Sequence, residues 1–204
     1  MRIVGNLPAA FERFTQIGGA LHFVVFEDAH GGDAEALTAI ARSVPGWRAN
    51  SADTLTNRQI GKLAFFGDWY DAATGSLLKI GEYTDSDGNV IVNPKLRDLR
   101  GVRLVSGGGP IPEIGTGGQF AYAFSWTPYG LRTTPEEVQE LFDQIREFIL
   151  PTNLDHQILD WSGGHLSEVS HWFAAGMEWW GVFLFTIHVP KIQRLTVIAG
   201  STTD

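Results

Sequence analysis

Aromatic and small side chains alternate through Gln119, Phe120, Ala121, Tyr122, Ala123, Phe124, Ser125 and Trp126. A period of two sends the four aromatics to one face and the slimmer side chains to the other, which predicts a β-strand with an aromatic core face. Upstream, Leu7, Phe11 and Phe14 follow Asn6 at helical spacing and predict a short amphipathic helix capped by that asparagine. Residues 20–26 are apolar on both faces except for His22 and predict a strand. Asp33 opens a second helix with Leu37, Ile40, Ala41 and Val44 on one side, ended by Pro45-Gly46. Residues 48–61 show no consistent period. Strands are predicted at 63–70, 77–83 and 89–92 as a meander, the last two joined by the turn Asp85-Ser86-Asp87-Gly88. That turn is not a calcium loop, because Val90 stands where the sixth position requires glycine.

The clearest helix start is Thr134-Pro135-Glu136-Glu137, a capping box with proline at the first helical position. Val138, Leu141, Phe142, Ile145, Phe148 and Ile149 form its apolar stripe, and Pro151 ends it. At about 100° per residue, Glu136, Glu140, Asp143 and Glu147 share an arc of about 60° on the opposite side. Beyond it, 157–161 predict a short strand, Ser167 caps a helix reaching Ala175, and 179–189 form a long strand. One face of that strand carries Phe183, Phe185, Ile187 and Val189, the other Val182, Leu184, Thr186 and His188. With both faces apolar, the strand is central, and 195–199 pair beside it through a turn near Lys191. About nine strands and about four helices without βαβ periodicity predict an α+β fold on a mostly antiparallel mixed sheet. Residues 106–118, with six glycines and two prolines, exclude a helix or central strand. They are expected to form a loop within one domain of 1–204, or to join two packed lobes, 1–105 and 119–204.

Composition narrows the function classes. With 44% hydrophobic and 19% charged residues the chain resembles ordinary globular domains, and 204 residues suffice for a core without staples. The absence of cysteine excludes disulfides, thiolate zinc sites and a cysteine nucleophile, and fits a cytoplasmic address. No signal-peptide apolar region follows Arg2, and the longest uncharged apolar stretch, 179–190, is 12 residues, too short for a membrane-spanning helix. A soluble protein is therefore expected. Of the net charge of −8, residues 106–204 carry 11 acids against 4 basic side chains, while 1–105 carry 12 against 11. So acidic a half argues against general nucleic-acid binding. The one basic cluster, Lys95, Arg97, Arg100 and Arg103, is expected to pair with the acidic half of the same molecule or to face water.

Catalytic residue types concentrate only at Asp155, His156, Asp160, His165, Glu168 and His171. Imidazole and carboxylate can bind a divalent metal or act as general acid and base. The candidates are His156, Asp160, His165, Glu168 and His171 for catalysis, with His165, Glu168 and His171 as metal ligands. Their spacing matches no established metal signature. No nucleophile elbow occurs: 160–164 and 104–108 both lack its first glycine. The glycine-rich segment is not followed by Lys-Ser/Thr, and no cofactor is specified. The leading expectation is a protein-binding module of immunity or inhibitor type, whose acidic surface at Glu136, Glu140, Asp143 and Glu147 contacts a basic protein such as a nuclease. The alternative is a small-molecule hydrolase or metalloenzyme working at 155–171.

Overall fold

The computed structural model describes residues 1–48, 54–84, 87–99, 119–163, 165–174, 176 and 180–201. The glycine-rich segment 106–118, the first half of the turn at 85–88, and residues 175 and 179 lie outside them. The class is α+β, with six helices and ten strands among the described residues. Six of the strands form one antiparallel sheet in the order β1-β2-β10-β9-β8-β3. Its centre is the hairpin of β9 (Phe183–Val189) and β10 (Arg194–Gly200), turned at Pro190–Ile192 with Gln193 in the left-handed region at φ 48°. β2 (Leu21–Glu27) flanks β10, and the two-residue β1 (Arg2–Ile3) flanks β2. On the other side lie β8 (Gln157–Asp160) and β3 (Arg58–Ile60).

Every residue of β9 is buried, as its two apolar faces require. Phe183, Phe185, Ile187 and Val189 enter one core, and Leu184 enters a second core on the opposite face. The first core is covered by α1 (Ala9–Gln16), α3 (Lys62–Phe66), α4 (Phe120–Ser125) and α5 (Pro135–Ile149). The second is covered by α2 (Asp33–Ser43), α6 (Leu166–Val169) and the 3-10 turn His171–Phe173. Two small ribbons complete the chain. β4 (Tyr70–Asp71) pairs with β5 (Ser76–Leu77), and β6 (Glu82–Thr84) with β7 (Val90–Val92), Gly88 taking φ +84° before β7.

Four local expectations are corrected. The alternating segment is not a strand but the helix α4, with all six residues buried. Period-two alternation signals a strand because a half-buried surface needs a polar face, and a helix enclosed on every side needs none. Phe120 stacks on Phe65 at 4.6 Å and Phe124 on Phe14 at 4.2 Å, while Tyr122, on another side, meets Trp69 edge-on at 5.1 Å. Ala121, Ala123 and Ser125 fill the narrow gaps, and the Ser125 hydroxyl donates to the Ala121 carbonyl at 2.7 Å.

Residues 62–66 likewise form helix α3 in place of the predicted meander strand. Gly67 stops it at φ 72°, a conformation costly for other residues. Pro8, not Asn6, occupies the N-cap of α1. Ser167 lies inside α6, and Ser170 is the residue that caps, accepting from the Trp172 amide at 3.1 Å.

α5 starts at its predicted cap, although Glu137 gives its carboxylate to Arg13 and the Thr133 hydroxyl rather than back to the Thr134 amide. Thr134 Oγ1 accepts from the Glu137 amide at 3.3 Å, and Pro135 occupies the first turn. Val138, Phe142, Ile145 and Ile149 are wholly buried, whereas Phe148 is half-buried against Phe11 at 5.3 Å. Because Ile145 is at the centre of that stripe with no exposed surface, Ile145→Ala should lose about 2–5 kcal/mol through lost transfer energy and a cavity. Urea denaturation measures this, and a loss under about 0.5 kcal/mol, as for an exposed site, would contradict the packing.

Candidate functional site

The candidates His156, Asp160, His165, Glu168 and His171 lie just before and at the end of β8, around α6 and in the turn after it, and each of the five is engaged locally. Asp160 is buried at the end of β8, beside Arg58 across the β3–β8 ladder at 3.3 Å, and accepts from the Ser162 amide at 3.0 Å. His156 Nδ1 lies 3.2 Å from the Leu154 carbonyl. His165 Nδ1 approaches Glu168 Oε1 at 2.9 Å, with both side chains more than half exposed. So exposed a pair contributes little to stability. His171 Nε2 accepts from the Arg48 guanidinium, a group that can only donate. Arg48 also reaches the Glu168 carbonyl at 3.3 Å. Thus His165 and Glu168 meet, but His171 does not join them as a third ligand. Among the described residues no three His, Asp or Glu side chains are placed to hold a metal ion.

On α5 the four acids of the stripe differ. Asp143 is held by Arg146 at 3.2 Å and Arg97 at 3.8 Å, and Gln139 donates to it at 3.2 Å. Arg97 thus pairs with the acidic half, as expected of the basic cluster, whereas Lys95 pairs at 3.0 Å with Asp71 of the N-terminal half, and Arg100 and Arg103 lie outside the described residues. The Thr74 hydroxyl and Lys95 hold the Asp71 carboxyl down to about 2. Glu147 accepts from the Thr152 hydroxyl at 2.7 Å and from its amide at 3.1 Å, which lowers its pKa. Glu136 is half-buried and Glu140 exposed, and neither has a hydrogen-bond or ion-pair partner among the described residues. Their neighbour Glu137, outside the stripe, is committed to Arg13 at 2.6 Å and to the Thr133 hydroxyl, and both hold its pKa down.

The pattern of the sequence did not locate a cleft of about 390 Å³ between the N-terminal segment and β2. One wall is Asn6, Leu7, Phe11 and Glu12, and the other Leu21, His22 and Phe23. Phe11 meets Phe23 edge-on at 5.2 Å, so the floor is aromatic. The only signal was His22, the single polar residue in an otherwise apolar strand. Desolvation pushes the imidazole below the ordinary 6.5, although the residue keeps exposed surface.

No protein-family model, curated protein or solved structure matches this chain, so the geometry alone bears on function.

His22 yields a pH prediction. A folded-state pKa below the unfolded value means that the unfolded chain binds more protons, so this stabilising contribution is complete above pH 6.5 and is lost as pH falls. In an NMR titration His22 should titrate below 6.5, and His22→Gln should flatten the decline in stability on the acid side. A midpoint at or above the ordinary value would contradict the desolvation.

Proposed function

We propose that this protein acts by binding a protein partner, with the acidic face of α5 as the contact surface and a basic protein as its counterpart, as in an immunity or inhibitor protein. The observation that carries it is the pair Glu136 and Glu140, one turn apart on a rigid helix, with no counter-ion among the described residues. Asp143 and Glu147 extend the same stripe, although local partners already hold them. Such uncompensated charge on a fixed scaffold favours encounter with an oppositely charged protein through long-range attraction. An enzyme site at 155–171 draws no comparable support, because of its side chains only His165 and Glu168 meet and no third His, Asp or Glu among the described residues joins them to hold a metal ion.

Charge reversal at Glu136 and Glu140 tests this. Affinity capture from a lysate of the source cells identifies the proteins retained by wild type and lost by the Glu136→Lys/Glu140→Lys variant. Stopped-flow mixing should then show association slowed by about tenfold at low salt, with the difference shrinking as ionic strength rises. Folding stability should fall by no more than about 1 kcal/mol, mostly because Glu136 favours the positive end of the helix. Identical captured proteins for both forms would refute the proposal.

A further inference from the structure

β2 is paired along its whole length on one side only. β10 matches every residue from Leu21 to Phe26, whereas β1 reaches only Phe26 and Glu27, followed by the Val4 amide donating to the Val25 carbonyl at 2.8 Å. That last bond shows that Val25 turns its backbone polar groups toward β1. In an antiparallel ladder Phe23 and Leu21 must then turn theirs the same way. After Val4 the chain bends off through Gly5, Asn6, Leu7 and Pro8 into α1, and the cleft of about 390 Å³ opens at this place. No backbone or side-chain partner for those groups of Leu21 and Phe23 exists among the described residues. A sheet edge with free N–H and C=O groups is a template for another strand.

We propose that this free edge of β2 is a docking site for an extended peptide segment that adds as a strand where β1 leaves off and carries a lysine or arginine toward Glu12. Three observations select that occupant. At about 3.4 Å per residue, the edge from Leu21 to Val24 suits roughly three guest residues, and the cleft volume falls within the range of about 300–1,000 Å³ usual for ligand sites. Leu7, Phe11, Leu21 and Phe23 offer apolar contact to the stem of a long side chain. Among the described residues the exposed Glu12 carboxylate accepts only from Gln16 at 3.1 Å and has no cation beside it, and no Lys or Arg lines the cleft. Desolvation lowers the pKa of His22, on the opposite face of the strand from Phe23, and so disfavours its charged form beside a basic guest. Strand addition draws affinity from the backbone and specificity from alternate side chains. The site uses β2 and α1, not the stripe on α5, and stands apart from the function proposed above.

The probe is the blocked pentapeptide acetyl-Thr-Val-Lys-Val-Thr-amide, added at millimolar concentration to the full chain labelled with nitrogen-15. The amides of Leu21 and Phe23 should shift and gain protection from hydrogen exchange. The same peptide with glutamate for lysine should bind roughly threefold to fivefold more weakly, as a partly exposed ion pair warrants. Glu12→Gln, whose spectrum reports whether it remains folded, should abolish that difference while leaving the amide shifts in place. Glu140→Lys should bind the peptide as wild type does. The proposal is overturned if Leu21 and Phe23 do not respond, or if a peptide N-methylated at alternate amides binds equally well. It is also overturned if n-butylamine alone reproduces the shifts with the same dependence on Glu12, which marks a small-cation site. Loss of binding in Glu140→Lys equal to that in Glu12→Gln would likewise overturn it, as a general charge effect.

Discussion

The stacking of α4 against the sheet is the constraint on which the first core depends. Phe120 and Phe124 sit one turn apart on a helix with no solvent face, and between them they touch Phe65, Phe14, Phe142 and Phe23. Aromatic rings have large apolar area and prefer tilted or offset contacts, so one ring fixes the angle of the next. α1, α3 and α5 are held in position by that set of rings, because each contributes a phenylalanine to it. The helix is six residues long and too short to be stable alone. It exists because its surroundings bury it, and those surroundings close only when it is there.

A sheet covered on both faces leaves only its edges open to partners. β9 and all of β10 but Arg194 are buried, and Trp161 on the second face donates its indole N–H to Thr186 at 2.9 Å, so a polar atom there is satisfied inside the core. The edge at β1 is different. Two residues of pairing are too few to cover a seven-residue strand, and the turn into α1 takes the chain away from it. The cleft beside His22 is the direct consequence. Charge follows a comparable logic. The acids that lie near basic residues or hydroxyls, such as Glu137 and Asp143, are used to tie α5 to α1 and to the 3-10 turn at Leu96–Asp98. Glu136 and Glu140 of the same helix have no such use within the described residues.

The sequence by itself determined the elements whose signals are local. The capping box at Thr134 and the stripe from Val138 to Ile149 specify α5, because cap geometry and helical period act within a few residues. The apolar faces of Phe183 to Val189 specify a central strand, and its partner follows through a short turn. The excess of acids in the C-terminal half is likewise a property of composition. Tertiary structure decided what depends on neighbours distant in the chain. Whether 120–125 is strand or helix turned on enclosure by α1, α3 and α5, since the same alternation satisfies either geometry once no polar face is needed. Whether His165, Glu168 and His171 share a centre turned on Arg48, a residue more than a hundred positions away that claims His171. The cleft has no sequence motif because it is an absence of pairing, where β1 ends before β2 does, and only the register of the two strands can show it.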